Sequence, residues 1–288
     1  VTAGLWGLFA ACFTTMSPDL RVICNAYTAE RIIAPEYRKS LARVAKNCQH
    51  LSAKRINQYL DSRLHLVSST TVKNERAMLL ILWRWAYERG LVPTHPRGVA
   101  KVRADRTPVQ AWTLEQCCTA VKGAAMHSGK KTRNGADRGE FLRCWLLLGY
   151  ETGARWADIW KFRDKHFDGN QLRYSQNKTG NPINQILSDQ CVDSVRRMLA
   201  RSPDGTVVGW VCGKRRAMRV MKAHLKDCGL RGTSKWLRRS SATHIEMSQP
   251  GRARLFLGHK SPGMAERHYI DWAQVRKDIP RPPGLSLN

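Results

Sequence analysis

The periodicity of this chain breaks once in its interior, and the break sets how many bodies it can form. Residues 94–108 read THPRGVAKVRADRTP, a Pro- and Arg-bearing stretch with neither helical nor strand period. Apolar stripes run up to it and restart after it. A domain boundary is therefore expected near Val102 to Val109. It separates a helical domain over 1–104 from a second domain over 109–288 with a C-terminal tail. A chain of 288 residues has the length for both, and each part can bury a core.

On the N-terminal side, residues 30–105 read as mainly helical. In LSAKRINQYLDSRL, Ser52 is an N-cap candidate, and Ile56, Leu60 and Leu64 recur at helical spacing. In SSTTVKNERAMLLILWRWAYERGLV, Val72, Leu79, Leu82, Trp83 and Ala86 share one face. Lys73, Arg84 and Glu88 point elsewhere, Arg76 lies at the edge of the stripe, and Gly90 ends the helix. The opening GLWGLFAACF reads as a first buried helix; it is too short to span a membrane and has no basic lead-in of a signal peptide. The first residue is Val1 rather than Met, so where the natural chain starts stays open.

Past the break, Thr113 and Gln116 have the spacing of a capping box. FLRCWLLLGYETG reads as a helix closing at Gly149–Gly153, and TGARWADIWKF as a short helix. QLRYSQNKTGNPINQIL reads as two strands about a tight turn at Asn177–Asn181. Further helices are expected from Asp189 to Gly229 and from Leu237 to Met247, with a loose tail RPPGLSLN. The fold class is mainly α with a small β-sheet.

Charge narrows the partners. Lys and Arg number 49 against 22 Asp and Glu, a net charge of +27. The excess is spread, with 17 basic against 7 acidic residues before Pro108 and 32 against 15 from Pro108 on. Such a chain repels itself unless it meets a polyanion, with double-stranded DNA first and an anionic membrane surface second. In KRRAMRVMKAHLK, Lys214, Arg215 and Arg216 open a cation-rich helix whose Met218, Met221 and Leu225 form a packing face. Cations of this kind hold phosphates and position a duplex without reading its sequence. With Lys73, Arg76 and Arg84 they are the candidate DNA contacts. Nine cysteines, with no CxxC pair, argue against a disulfide framework or a zinc ribbon and for a reducing cytosol.

Four separated stretches carry the chemistry: TGARWADIWKF, SQNKTGNPI, SKWLRRSSATH and LGHKSPGMAERHY. In this order they resemble the catalytic domain of the tyrosine recombinase (phage-type integrase) family, and the helical stretch ending in WRWAYERGLVPTHP resembles that family's core-binding domain. The resemblance spans residues 30–272. It implies Arg155 and Arg238 as the catalytic arginines, with Asp158 as an acidic brace one turn beyond Arg155. It implies Lys178 on the hairpin turn as general acid, His259 as a further donor and Tyr269 as nucleophile. Two departures stand out. Lys235 occupies a position where the family usually has His, and His259 to Tyr269 is one residue longer than the commoner spacing, which would land on His268. An insertion at Pro262–Gly263 accounts for the longer spacing.

The residue types suit phosphoryl transfer. A phosphodiester repels nucleophiles, so positive charge must be placed on its non-bridging oxygens. Arginines supply planar, permanently charged forks. With protein cations in place no metal or other cofactor is required, and the sequence has no convincing Asp/Glu metal cluster. A phenol with a reference pKa of about 10 needs neighbouring cations or a base to attack near neutrality.

The resemblance implies a site-specific DNA recombinase or integrase working through a 3′-phosphotyrosyl intermediate. It implies a C-shaped clamp on duplex DNA, a monomer in free solution and a homotetramer on paired sites. The segment DWAQVRKDIP after Tyr269 would be free to dock on a neighbour. A cytoplasmic, nucleoid-associated protein with no membrane partner is expected, belonging to a mobile element more than to a housekeeping system. Two other readings share parts of this pattern: a type IB topoisomerase, with the same chemistry and a relaxed product, and a DNA-binding accessory protein without catalysis.

Overall fold

The computed structural model describes residues 18–105, 107–261 and 263–276. The stretch GLWGLFAACF, the tail RPPGLSLN and Pro262 lie outside the described residues. The chain divides into two compact units, Val1–Thr107 and Pro108–Asn288.

The first unit holds four helices: α1 (Leu20–Glu30), α2 (Pro35–Cys48), α3 (Ala53–Leu64) and α4 (Ser69–Glu88). Ser52 and Ser68 cap α3 and α4 by accepting from the backbone N–H groups of Arg55 and Thr71. At the far end of α4, Gly90 turns left-handed at φ 68°. Leu91 N–H then reaches back to Ala86 O and Gly90 N–H to Tyr87 O, a Schellman closure. The α4 stripe Val72, Leu79, Leu82, Trp83 and Ala86 is buried against Leu20, Ile23, Leu41, Val44, Ile56 and Leu60. Leu64 departs from the expected stripe, being 44% exposed at the last turn of α3. Helix does not continue to 105 either; beyond Glu88 the chain runs in turns and irregular segments. Glu75 occupies a core position at 1% exposure. Arg63 grips it through Nε and Nη2, both at 3.0 Å, and the Tyr59 hydroxyl donates at 2.9 Å. Burial works against its charge, but these donors prevail and hold the carboxyl below its ordinary range.

The second unit contains α5 (Leu114–Gly123), α6 (Arg138–Thr152), α7 (Trp156–Ile159), α8 (Asp189–Leu199), α9 (Lys214–Asp227), α10 (Lys235–Ser248), α11 (Ala253–Phe256), α12 (Met264–His268) and α13 (Trp272–Val275). Strands β1 (Phe167–Asp168), β2 (Gln171–Ser175) and β3 (Pro182–Ile186) form an antiparallel sheet in sequence order. Leu172 and Tyr174 alternate inward on β2, and Tyr174 faces Ile183 across the ladder. Thr113 and Gln116 form the reciprocal capping box expected at the start of α5.

Helix α6 is the axis of this unit. Phe141, Leu142, Cys144, Trp145, Leu146 and Leu148 are all buried, so apolar groups surround it on most sides. Its neighbours are α5, α8 and α10. The span 189–229 holds two helices, α8 and α9, as the sequence leads one to expect. Between α8 and α9 the chain is irregular, with Val207, Val208, Val211 and Cys212 filling core space and Thr206 bridging to Arg163. Met221 and Leu225 bury the packing face of α9, and Met218 lies partly buried against the same core. A smaller apolar cluster of Ala242, Ala253, Leu257, Ala265 and Ile270 supports the C-terminal elements. Among the described residues, no helix is long and apolar enough to cross a membrane.

Candidate active site

Two glycines set the chain turns that present Arg155 and His259. Gly153, left-handed at φ 55°, ends α6 and reverses the chain. Arg155 then serves as the N-cap of α7 with extended backbone (φ −67°, ψ 144°), not as a residue inside a helix. A Cβ at Gly153 would lie 2.6 Å from the Phe256 ring, so a side chain there would push α11 away. Gly258, at φ 63°, turns the chain after Leu257 and presents His259.

Arg238 lies on the inner face of α10 at 4% exposure. Its guanidinium donates to Gly153 O, to Leu257 O at 3.3 Å and to His259 Nε2 at 3.0 Å. Its Cζ stands 4.7 Å from the centre of the Tyr269 ring. Among the described residues no carboxylate pairs with Arg238 or with Arg155, and Arg238 Nε is buried without a partner. A buried guanidinium without a counter-charge costs on the order of several kcal/mol. Burial pushes its pKa down, and Arg155 pushes the same way. The fold thus holds two guanidiniums close enough to repel, with no carboxylate neutralising either, an arrangement that can attract an anion.

His259 and Tyr269 respond to these charges. A guanidinium only donates, so His259 Nε2 must accept and its proton resides on Nδ1, which is buried and unpartnered. Burial, reinforced by Arg238 and Arg155, drops the imidazole pKa to about 4, so it is neutral at pH 7. The His259 and Tyr269 rings lie 5.1 Å apart. Burial alone would raise the Tyr269 phenol. The charges of Arg238 and Arg155, with a smaller contribution from Lys235, outweigh it and hold the phenol below its ordinary value.

The structure therefore brings Arg155, Arg238, His259 and Tyr269 together, with Lys235 exposed at the start of α10 and close enough for its charge to act on the phenol. Tyr269, not His268, closes the site. It caps the five-residue α12, which starts after left-handed Gly263, while His268 is exposed. Arg239 turns aside toward Gln110 O. His244 shares a 2.9 Å hydrogen bond with the Tyr150 hydroxyl.

Lys178 is not part of this cluster. It stands exposed at the tip of the β2–β3 turn and makes no hydrogen bond or ion pair among the described residues. Asp158 also differs from expectation. Its carboxylate accepts the Asn177 N–H at 2.9 Å instead of pairing with Arg155, and its second oxygen is buried without a partner. Lys161 Nζ donates to Asn177 Oδ1 at 2.7 Å, so the turn is pinned beside its tip. The side chain that does meet Arg155 is one the motifs did not single out: Gln176, whose Oε1 accepts from Arg155 Nη1 at 2.9 Å.

The segment after Tyr269 is docked on its own unit as far as Arg276, which corrects the expectation of a free arm. Asp271, 7% exposed, accepts from Ala111 N–H at 3.0 Å and caps α13. Gln274 donates to Ala111 O at 2.8 Å, and Trp272 and Val275 pack on the small apolar cluster.

The candidate DNA contacts divide. Lys214, Arg215 and Arg216 are exposed on the first turn of α9, and Lys73 and Arg84 are exposed on α4. Arg76 is engaged by the fold, donating to Ala100 O at 2.6 Å and Val99 O at 3.1 Å.

With this geometry in hand, the architecture can be assigned: it is the fold of the tyrosine recombinases. The chain is similar to the lambda integrase dimer bound to a COC′ core site, with TM-score 0.71, 20% identity, and coverage of 98% of this chain and 84% of that one. It is also similar to the XerH site-specific recombinase bound to palindromic difH substrate (TM-score 0.65, 11% identity, 90% and 92% coverage). A third similar structure is the Tn1549 transposon integrase in complex with circular intermediate DNA (TM-score 0.60, 12% identity, 92% and 100% coverage). No family model matches the sequence, and no curated protein matches it.

Proposed function

We propose that this chain is a site-specific DNA recombinase that cuts and exchanges strands through Tyr269. The observation that carries the reading is the buried, carboxylate-free guanidinium of Arg238, set against a phenol that the same charge makes more acidic. The DNA-bound tyrosine recombinases that share the fold support DNA as the substrate. The first unit is assigned to holding the duplex and the second to catalysis.

In this reading a scissile phosphate sits between Arg155 and Arg238, which hold its non-bridging oxygens. The His259 Nδ1–H and the Lys235 ammonium add donors. The phenol loses its proton to water, and the phenolate oxygen forms a bond to phosphorus while the bond to the 5′ oxygen breaks. The departing oxygen takes a proton from the Lys178 ammonium, which regains one from solvent. Because Lys178 stands in solvent in the free protein, its side chain must swing from the anchored turn onto the DNA. The 3′-phosphotyrosyl bond conserves the energy of the phosphodiester. The 5′ hydroxyl of a second strand then displaces Tyr269 without ATP. Paired sites are held by four protomers.

A pool of nicked duplexes with a randomised core tests this. Covalent protein–DNA bands on a denaturing gel, lost in Tyr269→Phe, are expected, and sequencing the captured strands yields the site. Tight binding with no band under any condition would make the chain an accessory DNA-binding protein. Relaxation of supercoiled plasmid without site dependence or exchange would make it a topoisomerase.

A further inference from the structure

The structure assigns Gln176 as a positioning residue that joins the two arginines and the Lys178 turn into one hydrogen-bonded unit. The inference rests on the reading of Lys178 as proton donor and extends it to a residue that carries no charge.

Gln176 is 2% exposed at the start of the turn, and every polar group it has is engaged. Its Oε1 accepts from Arg155 Nη1 at 2.9 Å and from the Thr179 hydroxyl at 2.8 Å. Its Nε2 donates to Leu257 O at 2.8 Å. Its backbone N–H donates to Asn181 O at 2.9 Å, and its carbonyl accepts from Gly180 N–H at 2.8 Å. The amide orientation follows from the partners. Arg155 and the guanidinium-facing side can only donate, and Leu257 O can only accept, so oxygen and nitrogen cannot be exchanged.

Leu257 O is also an acceptor for Arg238 Nη2. A continuous path therefore runs from the turn through Thr179 and Gln176 to Arg155, and through Leu257 O to Arg238 and His259. Gly258 is part of the same fit. A Cβ there would lie 2.4 Å from Ile183 Cδ1 and 3.1 Å from Gln176 Nε2. An amide of this length accepts from an arginine and a hydroxyl through its oxygen while its nitrogen, a separate atom, donates to a carbonyl. A glutamate would lose the Leu257 bond and neutralise Arg155, and a methionine would lose all three. Lys178 is thus flanked by Gln176 and Asn177 on one side and Thr179 on the other, each anchored, with only the acid itself unattached.

The experiment uses single-turnover cleavage of a duplex captured by the wild-type protein, made with an ordinary phosphodiester and with a 5′-bridging phosphorothiolate. The sulfur leaves without a proton, so a defect in proton delivery disappears on that duplex and a defect in phosphate holding does not. Gln176→Met is expected to cut the ordinary duplex ~10- to 100-fold more slowly and to recover a large part of that loss on the sulfur duplex, as Lys178→Ala does. Thr179→Val, at an exposed position, removes only the hydroxyl link; it should show a smaller loss that the sulfur duplex restores in full. Wild-type rates for both variants on the ordinary duplex, or losses that the sulfur leaves unchanged, overturn the assignment. If Gln176→Met fails to melt cooperatively, Thr179→Val decides alone. Failure of the wild-type protein to capture any duplex would instead remove the recombinase reading.

Discussion

Replacing Arg238 with methionine separates an anion receptor from a structural strut. The substitution removes a buried cation with no carboxylate partner, a cost on the order of several kcal/mol. Against that, Gly153 O and His259 Nε2 each lose their donor, which costs about 1–3 kcal/mol apiece while the groups stay buried. Leu257 O keeps Gln176 Nε2 and loses less. The terms nearly cancel, so Arg238→Met should melt within a few degrees of wild type, since 1 kcal/mol moves a domain of this size by about 2–4 °C. The electrostatic readout is sharper. Burial remains the leading cause of the low His259 pKa, but the Arg238 contribution vanishes. The imidazole should therefore titrate between about 4 and its reference 6.5, and no longer at about 4. Cleavage should fall by about 10²–10³, the range for losing one preorganised donor. Thermal unfolding, imidazole NMR titration and the covalent-capture gel measure the three effects. A melting point lowered by more than about 10 °C, or an unmoved His259 titration, would refute the reasoning and make Arg238 a scaffold residue.

The pH dependence of stability has a determined sign. His259 is held neutral in the folded state with its pKa lowered to about 4, so the unfolded chain binds the extra proton first. Its contribution is fully present above about 6.5 and drains away as pH falls toward about 4. At 1.36 kcal/mol per pH unit the gap is worth about 3 kcal/mol, and partial solvent exposure screens it to about 1–2 kcal/mol; denaturant melts between pH 4 and 7 should show the loss, and His259→Gln should flatten it. In the first unit, Glu75→Ala leaves Arg63 half-buried without its partner and should cost about 3–5 kcal/mol, read by urea unfolding. Gly258→Ala forces a side chain into a left-handed position against Ile183 and should cost about 1–2 kcal/mol from backbone strain alone. Changing Lys214, Arg215 and Arg216 together to alanine should reduce the slope of log K against log salt by up to about 3 for random duplex DNA, because each phosphate contact contributes about 0.9; an unchanged slope would remove α9 from the DNA surface.

The parts of the fold that could be read from sequence are those governed by local rules. The Ser52 and Thr113 caps, the Gly90 and Gly153 stops and the 171–186 hairpin each depend on a few neighbouring residues. The α4 stripe is also readable, and it contains one position that is not apolar. Glu75 falls three residues after Val72 and four before Leu79, on the buried face. A carboxylate at an apolar register position signals a buried pair, and Arg63 and Tyr59 on α3 supply it. Leu64 departs in the opposite way: its register matches the stripe, but the helix ends before anything covers it.

Within the candidate site, charge was legible and its geometry was not. Arg155 and Asp158 are three residues apart, which on a helix would let them pair. Arg155 is extended at the cap, so the helical rule does not reach it, and the carboxylate turns to Asn177. Gln176 carries neither charge nor periodicity, and its partners come from residues 155, 179 and 257. Only tertiary closure assembles those three, so no local rule could have found it. The same closure explains why Arg238 can be both deeply buried and free of any carboxylate. Its Nη1 and Nη2 donors are taken up by backbone oxygens and a neutral imidazole, which fix its direction without cancelling its charge. A salt bridge would orient the guanidinium equally well and abolish the attraction for a phosphate. Neutral acceptors around a buried cation are therefore what the proposed phosphate site requires, and Glu75 with Arg63 in the same chain shows the opposite solution, a closed ion pair.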